Sequence, residues 1–170
     1  SNPICLDTGS SCNHGTLYPG TLGDNTATSA MWSLDGKWGG AMEFDGTDDY
    51  VHIPDLYPST VADSAYTFSS WIKPNLKAGG HDECIVGKNR GEGTGYSYGL
   101  GLKLYDSSVY GIAANNNSEW RDNLIYNISD KENIWTQVAF SITGLSGTQT
   151  GRLYINGKLV KEHSGAASYY

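Results

Sequence analysis

The 170-residue chain contains no apolar run near the eighteen or more residues that a membrane span requires. Its start, Ser1-Asn2-Pro3-Ile4-Cys5, lacks the basic and then apolar regions of a leader. Insertion in a membrane is therefore not expected, and the chain reads as already processed or as a piece of a longer one. Basic residues are scarce, with 11 Lys and Arg against 18 Asp and Glu and a formal net charge of −7. A phosphate backbone rewards basic patches, so nucleic acid is excluded as a partner. Enzyme signatures are missing too: there is no H-E-x-x-H, no G-x-S-x-G and no phosphate loop. The glycine-rich stretch at 91–95 has no helical pattern after it to supply an anion-binding N-terminus. The three cysteines, Cys5, Cys12 and Cys84, form no CxxC pair and no zinc spacing. A bridge between Cys5 and Cys12 would close a short loop in an oxidising compartment; the alternative is three reduced thiols.

What the chain does contain is 22 Gly and 12 Tyr among many Ser, Thr and Asn, a mixture suited to short strands and tight turns. The length fits one domain over residues 1–170, able to bury roughly two-thirds of its unfolded surface. In the stretch from Gly36 to Pro54, Met42 and Phe44 alternate with Glu43 and Asp45, and Val51 and Ile53 alternate with Tyr50 and His52. Between them, Gly46, Thr47, Asp48 and Asp49 have turn chemistry. This pattern predicts a β-hairpin whose Met42, Phe44, Val51 and Ile53 face a core. Further strands are predicted in AYTFSSWIKP, ECIVGK, YSYGLGLKLYD, SVYGIAA and IWTQVAFSIT. In the first of these, Phe68 and Ile72 share one parity and Trp71 has the other, which makes Trp71 either a second-layer core residue, the favoured reading, or a ligand platform. RLYINGKLV is the cleanest hairpin, because Asn156-Gly157 suits the two positive-φ positions of a type I′ turn. Strand after strand without interposed helices implies an all-β, antiparallel sandwich.

Four pieces in order, LDTGSSCNHGTL, GKWGGAMEFDGTDDYVHIP, YTFSSWIKP and NIWTQVAF followed by GRLYINGKLV, resemble the laminin-G-like, concanavalin A-like lectin and glucanase jelly rolls. The resemblance implies a jelly roll and an extracellular or cell-surface glycan-binding or adhesion module. The family's usual opening strand and its closing return strand have no counterpart here. A sheet edge left open in this way is expected to pair with a neighbouring protein segment. The resemblance also implies a structural calcium near the Asp-Ser-Gly-Asn loop, which maps onto Asp7 and Asn13. Cys12 stands where that motif has Gly, and the late Asp that completes such a site is absent.

Glu43, Asp45 and Asp48 superficially mimic the carboxylate array of jelly-roll glucanases. Retaining hydrolysis needs two carboxyls roughly 5 Å apart on a continuous strand, whereas Gly46-Thr47 interrupts this one and the third position is Asp rather than Glu. The chain is therefore expected not to be an enzyme. Sugar recognition requires an aromatic face bordered by amides and carboxylates. Asn115, Asn117, Trp120 and Arg121 meet that requirement in one apparent loop, and Tyr96 and Tyr98 follow a glycine-rich segment; the competing reading is ordinary turns whose Trp packs back on the sheet. The leading expectation is a non-catalytic carbohydrate-binding or adhesion module that takes a glycan or surface polysaccharide. The alternative is a structural or assembly module, and a jelly-roll glycosidase or polysaccharide lyase is the weakest reading.

Overall fold

The computed structural model describes residues 4–5, 14–21, 27, 29–54, 65–76, 82–89, 98–113, 124–143 and 148–166. The chain divides into two compact units, Ser1–Thr60 and Val61–Tyr170. Both are built from antiparallel strands.

In Ser1–Thr60 the strands are β1 (Ile4–Cys5), β2 (Gly15–Tyr18), β3 (Trp32–Gly36), β4 (Gly39–Met42) and β5 (Tyr50–His52). They pair as β1-β2-β5 and as β3-β4. The hairpin expected between AMEFD and YVHIP is thus not the one formed. The chain reverses earlier, at Lys37-Trp38, where Gly39 takes φ +87°, so β4 runs back along β3 with Trp32 opposite Met42. β5 instead joins the HGTL strand, with Leu17 opposite Val51 and Tyr18 opposite Tyr50. Residues 43–49 between β4 and β5 form no strand. The expected core set is corrected accordingly: Met42 and Val51 are half-buried, but Phe44 is 49% exposed and Ile53 is exposed. Both lie just past the end of a strand, where period-two alternation no longer dictates which way a side chain points.

In Val61–Tyr170, β6 (Tyr66–Ile72), β7 (Asp82–Asn89), β8 (Tyr98–Tyr105), β9 (Ser108–Ala113), β10 (Ile125–Asn127), β11 (Thr136–Thr143), β12 (Thr148–Ile155) and β13 (Lys158–Ala166) form two four-stranded sheets. Their orders are β10-β9-β8-β7 and β13-β12-β11-β6. The two sheets pack face to face. Val138, Phe140 and Ile142 of β11 and Leu153 and Ile155 of β12 are buried, as are Leu102 and Leu104 of β8 and Val109 of β9. Phe140 stacks on Phe68 of β6 with ring centroids 6.4 Å apart. It also lies so close to β9 that a methyl group added at Gly111 would sit 2.8 Å from its Cδ2. Each such fully buried aliphatic or aromatic side chain is worth about 1.5–3 kcal/mol.

The β12–β13 turn has the geometry expected from its sequence, with Asn156 at φ 51° and Gly157 at φ 75°. Gln137 on β11 clamps it. The backbone N–H of Gln137 donates to Asn156 Oδ1 at 2.9 Å, its side-chain Oε1 accepts from the Gly157 N–H at 3.0 Å, and its Nε2 donates to Ser69 Oγ on β6 at 2.8 Å. Replacing Gln137 with alanine removes two of these bonds, so urea unfolding is expected to show a loss of about 1–2 kcal/mol. An unchanged midpoint would contradict the clamp.

On the other sheet, Lys103 is buried on β8, its ammonium 5.5 Å and 5.3 Å from the ring centroids of Tyr105 and Tyr110. Opposite it on β7 stands Cys84, a free cysteine at the surface. The protein around the thiol still strips enough water from it to push its pKa up. With a raised pKa in the folded state, the native protein holds its proton where the unfolded chain releases it, so stability falls as pH rises above the ordinary thiol value of about 8.5. Two results are expected: iodoacetamide labels Cys84 more slowly in native than in urea-unfolded protein at pH 8, and the unfolding midpoint declines less between pH 8 and 10 in Cys84→Ser than in the native sequence. Equal labelling rates would refute the shift.

Candidate functional site

The outward face of the β13-β12-β11-β6 sheet follows directly from strand alternation. On β11, Thr136, Val138, Phe140 and Ile142 point inward, leaving Gln137, Ser141 and Thr143 outside; on β12, Gln149, Gly151, Leu153 and Ile155 point inward, leaving Thr150, Arg152 and Tyr154. On β6 the inward Phe68 leaves Thr67, Ser69 and Trp71 on the outer side. Trp71 is 37% exposed there, which corrects the expectation that it is core. Its side of the strand faces away from the sandwich interior.

Register then assembles the face. Trp71 lies opposite Gln137, Thr67 opposite Ser141, Ser141 opposite Arg152, and Arg152 opposite Glu162. Arg152 Nε donates to Glu162 Oε2 at 2.6 Å, and the hydroxyls of Thr150 and Ser164 share a hydrogen bond of 2.8 Å. The ion pair is exposed and contributes at most about 1 kcal/mol to folding. Its interest is chemical: four strands, spaced about 4.8 Å apart, carry an indole, a carboxamide, hydroxyls and a guanidinium–carboxylate pair on one surface. Trp71 and Gln137 lie about 13 Å along the sheet from the row of Thr67, Ser141 and Arg152, so it is a chain of sugar rings whose C–H face could stack on the indole while its hydroxyls meet the other groups.

Two further surfaces lie in Ser1–Thr60. The first is the turn after β4. Oxygens of Asp45, Asp48 and Asp49 come within 4.8 Å of one another. The Thr47 N–H donates to Asp45 Oδ1 at 2.8 Å, the Asp45 N–H to Asp49 Oδ2 at 3.0 Å and the Thr21 N–H to Asp48 Oδ2 at 2.8 Å. The carboxylates therefore brace the backbone, with Gly46 at φ 75° allowing the reversal. Carboxylate oxygens are the donors calcium takes, although calcium needs six to eight oxygens and this cluster supplies only part of such a set. The second surface is the β3–β4 hairpin, where Trp32 is 57% and Trp38 is 73% exposed.

Of the residues that the sequence nominates, Asp7, Asn13, Tyr96, Asn115, Asn117, Trp120 and Arg121 lie outside the described residues. Tyr98 opens β8, and its side chain is likewise outside them. The structure brings together Trp71, Gln137 and Ser69, with Arg152 further along the same face, a set that sequence reading missed. The signal was available in the parity of Trp71 against Phe68. Which residues of β11, β12 and β13 share its face, and which stands opposite it, depends on register, which no single strand reveals.

No curated protein and no solved structure matches the chain. Residues 45–170 match the family model of laminin G type described as the concanavalin A-like lectin/glucanases superfamily. Together with the antiparallel sandwich, that match shows that the chain belongs to the concanavalin A-like lectin/glucanases superfamily.

Proposed function

We propose that this chain is a non-catalytic carbohydrate-binding or adhesion module, acting outside the cell or at its surface. One observation carries the reading: on the outer face of the β13-β12-β11-β6 sheet, an exposed Trp71 is bordered by Gln137 and Ser69, with the Arg152–Glu162 pair further along the same face. Fold membership alone would not suffice, since one fold hosts many functions. The non-catalytic part is supported by the turn after β4, because Asp45 accepts the Thr47 amide and residues 43–49 form none of the continuous strand that a carboxylate pair needs.

The test is a glycan-array screen followed by calorimetry, run with calcium and again with chelator. Binding of a polysaccharide or oligosaccharide that Trp71→Ala weakens tenfold or more supports the reading, and silence across the array in both conditions defeats it.

Calcium enters the same proposal as a structural ion. Asp45, Asp48 and Asp49 would hold it, and the ion would supply positive charge to three carboxylates gathered within 4.8 Å. An ion present at about a hundred times its dissociation constant stabilises the folded state by about 2.7 kcal/mol. Thermal melting in calcium is therefore expected several degrees above that in chelator, with the gap closing in Asp45→Asn, whose amide oxygen still accepts the Thr47 N–H. Identical melting curves would remove calcium from the account.

A further inference from the structure

We propose that the β3–β4 hairpin is a second sugar-stacking surface, its ligand an oligosaccharide whose pyranose rings present their C–H faces to Trp32 and to Trp38. The proposal rests on the carbohydrate-binding reading above, and it assigns a place that the outer sheet face does not include. Trp32 and Gly40 lie on facing strands of the hairpin, two residues apart in register. A Cβ at Gly40 would collide with the Trp32 ring at Cζ2, Cε2 and Cη2. The indole is therefore laid over a bare stretch of β4 backbone, one side against the glycine and 57% of the residue open. A flat, supported, open ring is what stacking on a sugar requires.

Trp38 sits in the reversal itself at 73% exposure, with the Lys37 ammonium 5.7 Å from its ring centroid. A cation at that distance steadies an exposed indole, and it gives the platform a hydrogen-bonding group at its rim. Size decides between a sugar and a protein occupant. At about 150–250 Å² for a whole aromatic side chain, the two indoles at 57% and 73% offer roughly 250 Å², and Leu34 of β3, 86% exposed, adds less than one more such side chain. A stable protein interface takes about 800 Å² from each partner. One or two sugar rings fit a surface of this size, whereas a folded partner would need about twice as much.

The experiment is a calorimetric titration of the whole chain with cellohexaose, laminarihexaose, xylohexaose and chitohexaose, repeated on Trp32→Ala, Trp38→Ala and Trp71→Ala. At least one hexaose is expected to bind at two sites per chain. The site that survives Trp71→Ala should weaken tenfold or more in each hairpin variant combined with it. Trp38 stands in the turn at 73% exposure, so Trp38→Ala reports on the surface even where Trp32→Ala loosens the hairpin. If a hexaose binds and Trp71→Ala abolishes all of that binding, while both hairpin variants titrate like the native sequence, the hairpin proposal is overturned and the outer-face reading stands. If none of the four hexaoses binds the native chain, both fall.

Discussion

Phe140→Ala is expected to destabilise the sandwich by about 3–5 kcal/mol, a large part of the stability of a domain this size. Phe140 is fully buried at the middle of β11, stacked on Phe68 and pressed against β9 at Gly111. Truncation removes the ring from between the two sheets, and two β-sheets tied by their own hydrogen bonds cannot close over the space it leaves. The measurement is urea unfolding followed by circular dichroism. A loss below about 1 kcal/mol would mean that the sheets do not meet at this residue, since even partly relaxed cavities cost more.

The second large effect comes from adding a group. At Gly101 on β8, a Cβ would run into the carbonyl oxygen of Val86 and come 2.8 Å from the Cα of Gly87 on β7. Both obstacles are backbone, held by the β7–β8 ladder. Gly111 makes the useful contrast, because its Cβ would meet the ring of Phe140, and a ring can tilt by a few tenths of an ångström. Overpacking costs about 1–3 kcal/mol and occasionally more. Gly101→Ala should reach the top of that range and Gly111→Ala the bottom. Denaturant midpoints in the reverse order would show that the β7–β8 pair is more pliable than its register implies.

These two sites show which parts of the fold were legible. Strands β6 to β9 and β11 to β13 follow from alternation and turn residues, and the Asn156-Gly157 reversal follows from the need for two positive-φ positions. Pairing was less legible. The stretch AMEFDGTDDYVHIP has the grammar of a hairpin, but Lys37-Trp38, flanked by glycines, turns the chain sooner and gives β4 a different partner. Phe44 and Ile53 lose their expected burial for that reason. The candidate site was least legible, because it is a property of a face rather than of a segment. Trp71 stands out in the sequence, but Gln137 comes beside it, and Arg152 and Glu162 onto the same face, only through the registers of β11 with β6, β12 with β11 and β13 with β12. Loops rich in Asn and Trp attract attention in a sequence, and strand residues that alternate with core positions do not.

The most direct test of carbohydrate binding is a single calorimetric titration of the native chain with whichever oligosaccharide gives the strongest array signal, set beside the same titration of Trp71→Ala. Saturable heat in the native chain, weakened tenfold or more by the substitution, is the result predicted. Equal heats in the two proteins would contradict the role given to the outer face, and no heat in either would contradict carbohydrate binding itself.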